Sequence, residues 1–96
     1  MEPHELLERV DSSETFLDFA RALIADRARA VAQESLTPSS PHGADAGGWE
    51  NTRIETFLEA AIAWAEGSAF GQKQGLARSN PWKQFAHFLY AGKIYE

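Results

Sequence analysis

Along most of this chain the apolar positions recur three and four residues apart, and no segment alternates for long enough to predict a strand. In the first long stretch, Phe16, Leu17, Phe19, Ala20, Leu23, Ile24 and Val31 fill one broad arc of a helix. Five alanines among residues 22–32 strengthen that helix. In the second, Ile54, Phe57, Leu58, Ala61, Ile62, Trp64 and Ala65 cover roughly half of a helical circumference. In the third, Trp82, Phe85, Ala86, Phe88 and Leu89 form the arc, with Tyr90 and Tyr95 at its margins. A shorter run through Leu6, Leu7 and Val10 opens at Pro3. The expected fold is all-α: three main helices plus a short N-terminal helix, packed around one aromatic-rich core in a single domain over residues 1–96. Trp82 is expected inside that core.

Local signals place the ends of these helices. Asp11 with Glu14 has the spacing of a capping box, and Ser12 or Ser13 serves the same purpose. Thr52 with Glu55, or Asn51, opens the second long helix, and Gly67 is its natural stop. Asn80 caps the last one, with Pro81 in its first position. Residues 35–48 carry two prolines, three glycines and three serines, which is the composition of a flexible linker. Arg27 projects into the apolar arc of its helix. Either packing ends a turn earlier and the side chain snorkels past the core edge, or a carboxylate of another helix pairs with it half-buried.

Charge narrows the functional classes. Fourteen acids against nine bases give a net charge of −5. Such a surface repels a phosphate backbone, so no nucleic-acid partner is expected. With no cysteine, thiolate catalysis, zinc–thiolate sites and disulfides are all excluded. No apolar run approaches the ~20 residues that cross a bilayer, and Met1-Glu2-Pro3-His4-Glu5 is acidic where a secretory signal is basic. A cytoplasmic location without membrane contact is the expectation. The charge is uneven: residues 67–96 hold four bases and Glu96 alone, whereas residues 1–66 hold five bases and thirteen acids. Either the basic last helix docks beside acidic residues of the same chain, or the acidic part meets a basic partner.

An ordered set of motifs runs through the chain: Trp49-Glu50-Asn51, Phe57-Leu58-Glu59-Ala60 with Trp64, Pro81-Trp82-Lys83 with Phe85-Ala86, and Ala91-Gly92-Lys93-Ile94-Tyr95-Glu96. Together with Phe16-Leu17-Asp18-Phe19, it resembles a family of small bacterial helical domains of unknown function. The resemblance covers most of the chain and implies a helical domain. It brings no activity, cofactor or site residues with it.

The side chains that bear chemistry are scattered. His4, His42 and His87 fall on different elements, not at the paired spacing of a metal site, and His87 is expected to be exposed. No serine sits in a nucleophile elbow, and no phosphate loop or dinucleotide fingerprint occurs. No catalytic residue, cofactor or metal is therefore assigned. Glu55, Glu59 and Glu66 share one side of their helix, a ridge that suits either a cationic partner or, as the alternative, a divalent metal or small ligand. Trp49, Tyr90 and Tyr95 complete the candidate interaction surface. At the carboxyl end, either the helix unwinds at Gly92 and the tail packs back, or an exposed apolar patch remains. The expected function is a non-catalytic, cytoplasmic protein-interaction module with a basic protein partner, of which an immunity-protein-like neutraliser of a basic toxin is one version.

Overall fold

The structure is a computed structural model and describes every residue except His42. Four helices follow in order: α1 (Pro3–Leu7), α2 (Ser13–Leu36), α3 (Ile54–Ser68) and α4 (Pro81–Ile94). Short 3-10 turns at Ala46–Gly48 and Gln72–Gln74 punctuate the two long connections. No strand forms among the described residues, and an isolated bridge pairs Asp45 with Trp49. The all-α fold of three main helices and a short leading one is the architecture observed.

Most helix starts follow the local signals. Pro3 opens α1, and the Glu5 carboxylate accepts the Glu2 N–H at 2.9 Å. That bond holds the Glu5 carboxyl below its ordinary pKa. At α2 the cap is Ser12, whose hydroxyl accepts the Thr15 N–H at 3.2 Å, while the Thr15 hydroxyl accepts the Ser12 N–H at 3.0 Å. Asn80 accepts the Lys83 N–H at 3.1 Å, with Pro81 leading α4.

Two boundaries differ from the sequence reading. The Thr52–Glu55 box does not form; Arg53 is the cap position, and Thr56 Oγ1 accepts its N–H at 3.4 Å. Asn51 is not a cap because its amide is engaged elsewhere, donating to the carbonyls of Gly92 at 3.0 Å and Tyr95 at 2.8 Å. At the other end α3 passes through Gly67 and stops at Ser68. Ala69 and Phe70 then take left-handed φ of 51° and 54°, a conformation usually left to glycine. Ser68 holds this reversal: its hydroxyl donates to Trp64 O at 2.6 Å and accepts the Gly71 N–H at 2.8 Å. The reversal also carries the Phe70 ring onto Trp64 and Phe88, at centroid distances of 6.2 and 5.7 Å.

α4 is the central element. It packs along α3 and also against α2 and α1, whereas α2 and α3 barely meet. The larger buried cluster joins Leu7, Val10, Phe19, Leu23, Trp49 and Ala86; a smaller one joins Trp64, Ala65 and Ala91. Helix α4 does not unwind at Gly92. The Phe57 ring lies so close over that glycine that a Cβ would stand 2.6 Å from its Cζ. Only a residue without a side chain lets α3 and α4 approach there.

Because α2 and α3 flank α4 without covering one another, the apolar arcs are wider than the surface they bury. Leu17, Ile24 and Val31 of α2 are exposed, as are Ile54, Leu58 and Ile62 of α3 and Phe85 of α4. Trp82, expected inside, is 39% exposed and lies against Phe16 with centroids 5.5 Å apart.

Candidate interaction site

The most chemically specific feature is a buried ion pair that periodicity did not reveal. Asp26 follows Phe19 and Leu23 on the inward side of α2, and Lys93 lies in the last turn of α4. Lys93 Nζ stands 2.7 Å from Asp26 Oδ2, with the two side chains only 9% and 10% exposed. Trp49 Nε1 donates to the same oxygen at 3.0 Å. The other oxygen faces Arg29 at 3.5 Å. The Lys93 ammonium also lies over the Trp49 and Tyr90 rings, 5.4 and 5.8 Å from their centroids.

The segment after this tryptophan continues the attachment. Glu50 N–H donates to Lys93 O at 3.0 Å, and Asn51 takes the Gly92 and Tyr95 carbonyls. Residues 49–51 therefore clip the end of α4 in place. Both oxygens of Asp26 face cations, and the pair ties the middle of α2 to the last turn of α4. Asp26 was legible as a candidate only through its place three residues after Leu23 on the buried arc.

Arg27 settles between its two sequence readings. It is half-buried and pairs with a carboxylate, but that carboxylate is Asp45 of the connecting loop, at 3.5 Å, and not one from another helix. Its guanidinium lies 5.3 Å from the Trp49 ring centroid, and Phe57 stacks at 6.3 Å. The same loop, read as a flexible linker over residues 35–48, is tied down by Glu34. That carboxylate accepts the Ser39 N–H and the Ala46 N–H, each at 2.8 Å, and a short bond from the Ser39 hydroxyl. Those three donors, the hydroxyl foremost, lower the Glu34 pKa. Helix α2 itself reaches Leu36, two residues into that segment.

The six residues of the expected interaction surface part company. Trp49 is 5% exposed and belongs to the interior, a correction whose cause is the indole N–H satisfied by buried Asp26. Tyr90 is half-buried and Tyr95 is exposed. Glu55, Glu59 and Glu66 are exposed along one side of α3. Glu55 approaches Arg53 at 3.8 Å, and Glu59 and Glu66 form no ion pair with any described residue. The bases of α4 do not dock on this ridge: Lys83 pairs with Glu8 at 3.7 Å and Lys93 with Asp26.

Of the histidines, His4 is exposed and His42 lies outside the described residues. His87, expected to be exposed, is half-buried and stacked on Trp64 at 6.2 Å; its Nε2 has no hydrogen-bond partner among the described residues. Burial lowers its pKa, Glu8 opposes that shift and Lys83 adds to it. Among the described residues no three histidine or carboxylate side chains converge as a metal requires.

One concavity is open beside the buried centre. A groove of about 490 Å³ runs between α2 and α3, walled by Leu23, Ile24, Trp49 and Phe57 and floored by Leu89. Among the described residues Arg27 is the one charged side chain lining it. A second recess of about 350 Å³ shares Arg27, Trp49 and Phe57 and extends toward Leu58.

The chain is thus a small helical domain with a locked interior, an acidic flank and an apolar trough. Residues 12–96 match the model of a family of unknown function, DUF7660, and the chain belongs to that family. The residues that carried the resemblance include Trp49, Asn51, Gly92 and Lys93, which meet in the clip just described. No curated protein and no solved structure matches the chain.

Proposed function

We propose that this protein is a non-catalytic, cytoplasmic interaction module of bacteria that binds a basic protein through the Glu55–Glu59–Glu66 side of α3. One observation carries the reading: among the described residues two of these three exposed carboxylates have no intramolecular cation, and the two lysines of the adjoining α4 pair with Glu8 and Asp26 instead. Charges left solvated on a rigid helix keep their full attraction for an incoming cationic surface, and they steer its approach. Neutralisation of a basic toxin is the concrete form of such a role. The alternative, a small ligand or divalent metal on the same ridge, is not favoured, since among the described residues no three histidine or carboxylate side chains converge there.

Tagged protein retained from its native lysate at low salt is expected to hold a basic protein that leaves as salt is raised. The variant combining Glu55→Lys, Glu59→Lys and Glu66→Lys should hold that protein about tenfold more weakly or worse. Equal retention by the variant, or recovery of no specific partner, would sink the reading.

A further inference from the structure

We infer that His87 is a proton-operated latch on α1: the short helix stays docked on α4 while this ring is neutral and leaves when the ring takes up a proton. His87 stands on α4 with its ring stacked on Trp64 of α3, and its Nε2 is closed to solvent with no hydrogen-bond partner among the described residues. A neutral imidazole carries one N–H and an imidazolium carries two. With Nε2 dry, the cation holds a donor that nothing accepts, which is costly in an interior. The Trp64 centroid, at 6.2 Å, lies at the edge of the range in which an aromatic face steadies a cation. The proton therefore belongs to a state in which water reaches the ring.

The charged groups acting on this ring are Glu8, at the end of α1, and Lys83, one turn earlier on α4. They already hold each other: Lys83 Nζ lies 3.7 Å from the Glu8 carboxylate and donates to the Glu8 carbonyl at 3.0 Å. From α3 comes the uncharged Trp64, and from the turn after it the uncharged Gln74. An imidazolium thus repels Lys83 and competes for Glu8, the contact that ties α1 to α4. Of the surrounding elements α1 leaves most readily. It has five residues, too few to persist as a helix alone, and is held by buried Leu7, by Glu8 and by an exposed Glu2–Arg29 pair at 3.8 Å. Val10 beyond it stays anchored, buried and accepting the Asn80 amide at 2.9 Å. Leu7 and His87 line one recess of about 310 Å³ with Trp64 and Tyr90, so the departure of α1 wets the ring and bares those aromatic faces. Burial holds the docked ring below its ordinary pKa of 6.5. Docking is therefore complete above that value, weakens as pH falls below it, and levels off once the docked ring itself is protonated.

The test follows the full chain from about pH 8 to about pH 5, above the ordinary carboxylate range. NMR reports the His87 ring, and hydrogen exchange reports the Leu6 and Arg9 amides, which bond to the Glu2 and Leu6 carbonyls. His87 is expected to titrate below 6.5. Protection at Leu6 and Arg9 should fall about three- to tenfold at one unit below that value, while helical circular dichroism persists. Leu7→Gln removes the apolar anchor of α1 without adding charge. Because the coupling is reciprocal, it should bring the His87 midpoint back to about 6.5 with the other helices intact. His87→Phe keeps an aromatic ring against Trp64 and should make α1 protection independent of pH over this window. Both variants retain His4 and His42, so neither histidine accounts for a difference. A parent midpoint at or above 6.5, a low midpoint that survives Leu7→Gln, or a loss of α1 protection that survives His87→Phe overturns the latch. Should Leu7→Gln unfold, the parent and His87→Phe decide by themselves. None of these readouts involves the Glu55–Glu59–Glu66 ridge, so the latch and the proposed partner fail separately.

Discussion

Lys93 and Asp26 are the pair of side chains on which the interior turns. Each is nearly dry, and each neutralises the other at 2.7 Å. A buried ion pair contributes little compared with an apolar replacement, yet removing one member strands the other charge. Lys93→Met is therefore expected to cost about 3–5 kcal/mol in urea unfolding. The lower end is favoured, because Trp49 Nε1 and Arg29 still contact the Asp26 carboxylate. A loss below about 1 kcal/mol would mean that water reaches Asp26 and that the pair does not organise the interior. Gly92 and Asn51 work on the same neighbourhood by shape and hydrogen bonding, one admitting the Phe57 ring and the other engaging the last carbonyls of α4. Apart from the place of Asp26 on the buried arc of α2, these roles leave no trace in hydrophobic periodicity. Lys93 sits in a helix as an ordinary charged residue, and only its position opposite Asp26, 67 positions away in the chain, gives it a partner.

Among the elements, the helices were legible and the connections were not. Periodicity located α2, α3 and α4 because each buries one side and solvates the other. The caps at Ser12 and Asn80 were readable because a polar side chain satisfies amides within its own first turn. Asn51 misled for the same reason: it has a capper's chemistry, but tertiary carbonyls of α4 compete successfully for its amide. The segment after α2 shows the converse. Its composition suggests a free linker, yet Glu34 gathers three donors from it. Because folding lowers the Glu34 pKa, its stabilisation is complete above its ordinary value of 4.5 and disappears as pH falls through the lower folded value. Glu34→Ala should therefore flatten the acid limb of stability against pH. It should also speed amide exchange at Ala46 by about tenfold at neutral pH, the size expected when a charged acceptor is lost. Unchanged exchange at Ala46 would show that the loop is held by other contacts.

For the molecule as a whole, Trp49 is the junction. It joins the loop to α2 through Asp26, touches α3 through Phe57 and lies beneath the Lys93 ammonium of α4. Trp49→Ala removes a buried aromatic and is expected to cost about 3–5 kcal/mol. Trp49→Phe keeps the stack but not the donor, and should cost about 1–3 kcal/mol. If Trp49→Phe costs nothing while Trp49→Ala is costly, the indole N–H bond contributes nothing and the ring alone holds the junction. The groove beside Trp49 belongs to this level too, since it exists only because α2 and α3 stand apart across α4.

From the residue order alone came the number of helices, their apolar sides, two of their caps, the net charge and the exposed carboxylate line on α3. These are local or additive properties, and each depends on neighbours within a few positions or on simple composition. The burial of Trp49, the Asp26–Lys93 pair, the exposure of Trp82 and the open trough needed the assembled fold. A helix's apolar arc states how much surface could be covered, and only the placement of the other helices determines how much is.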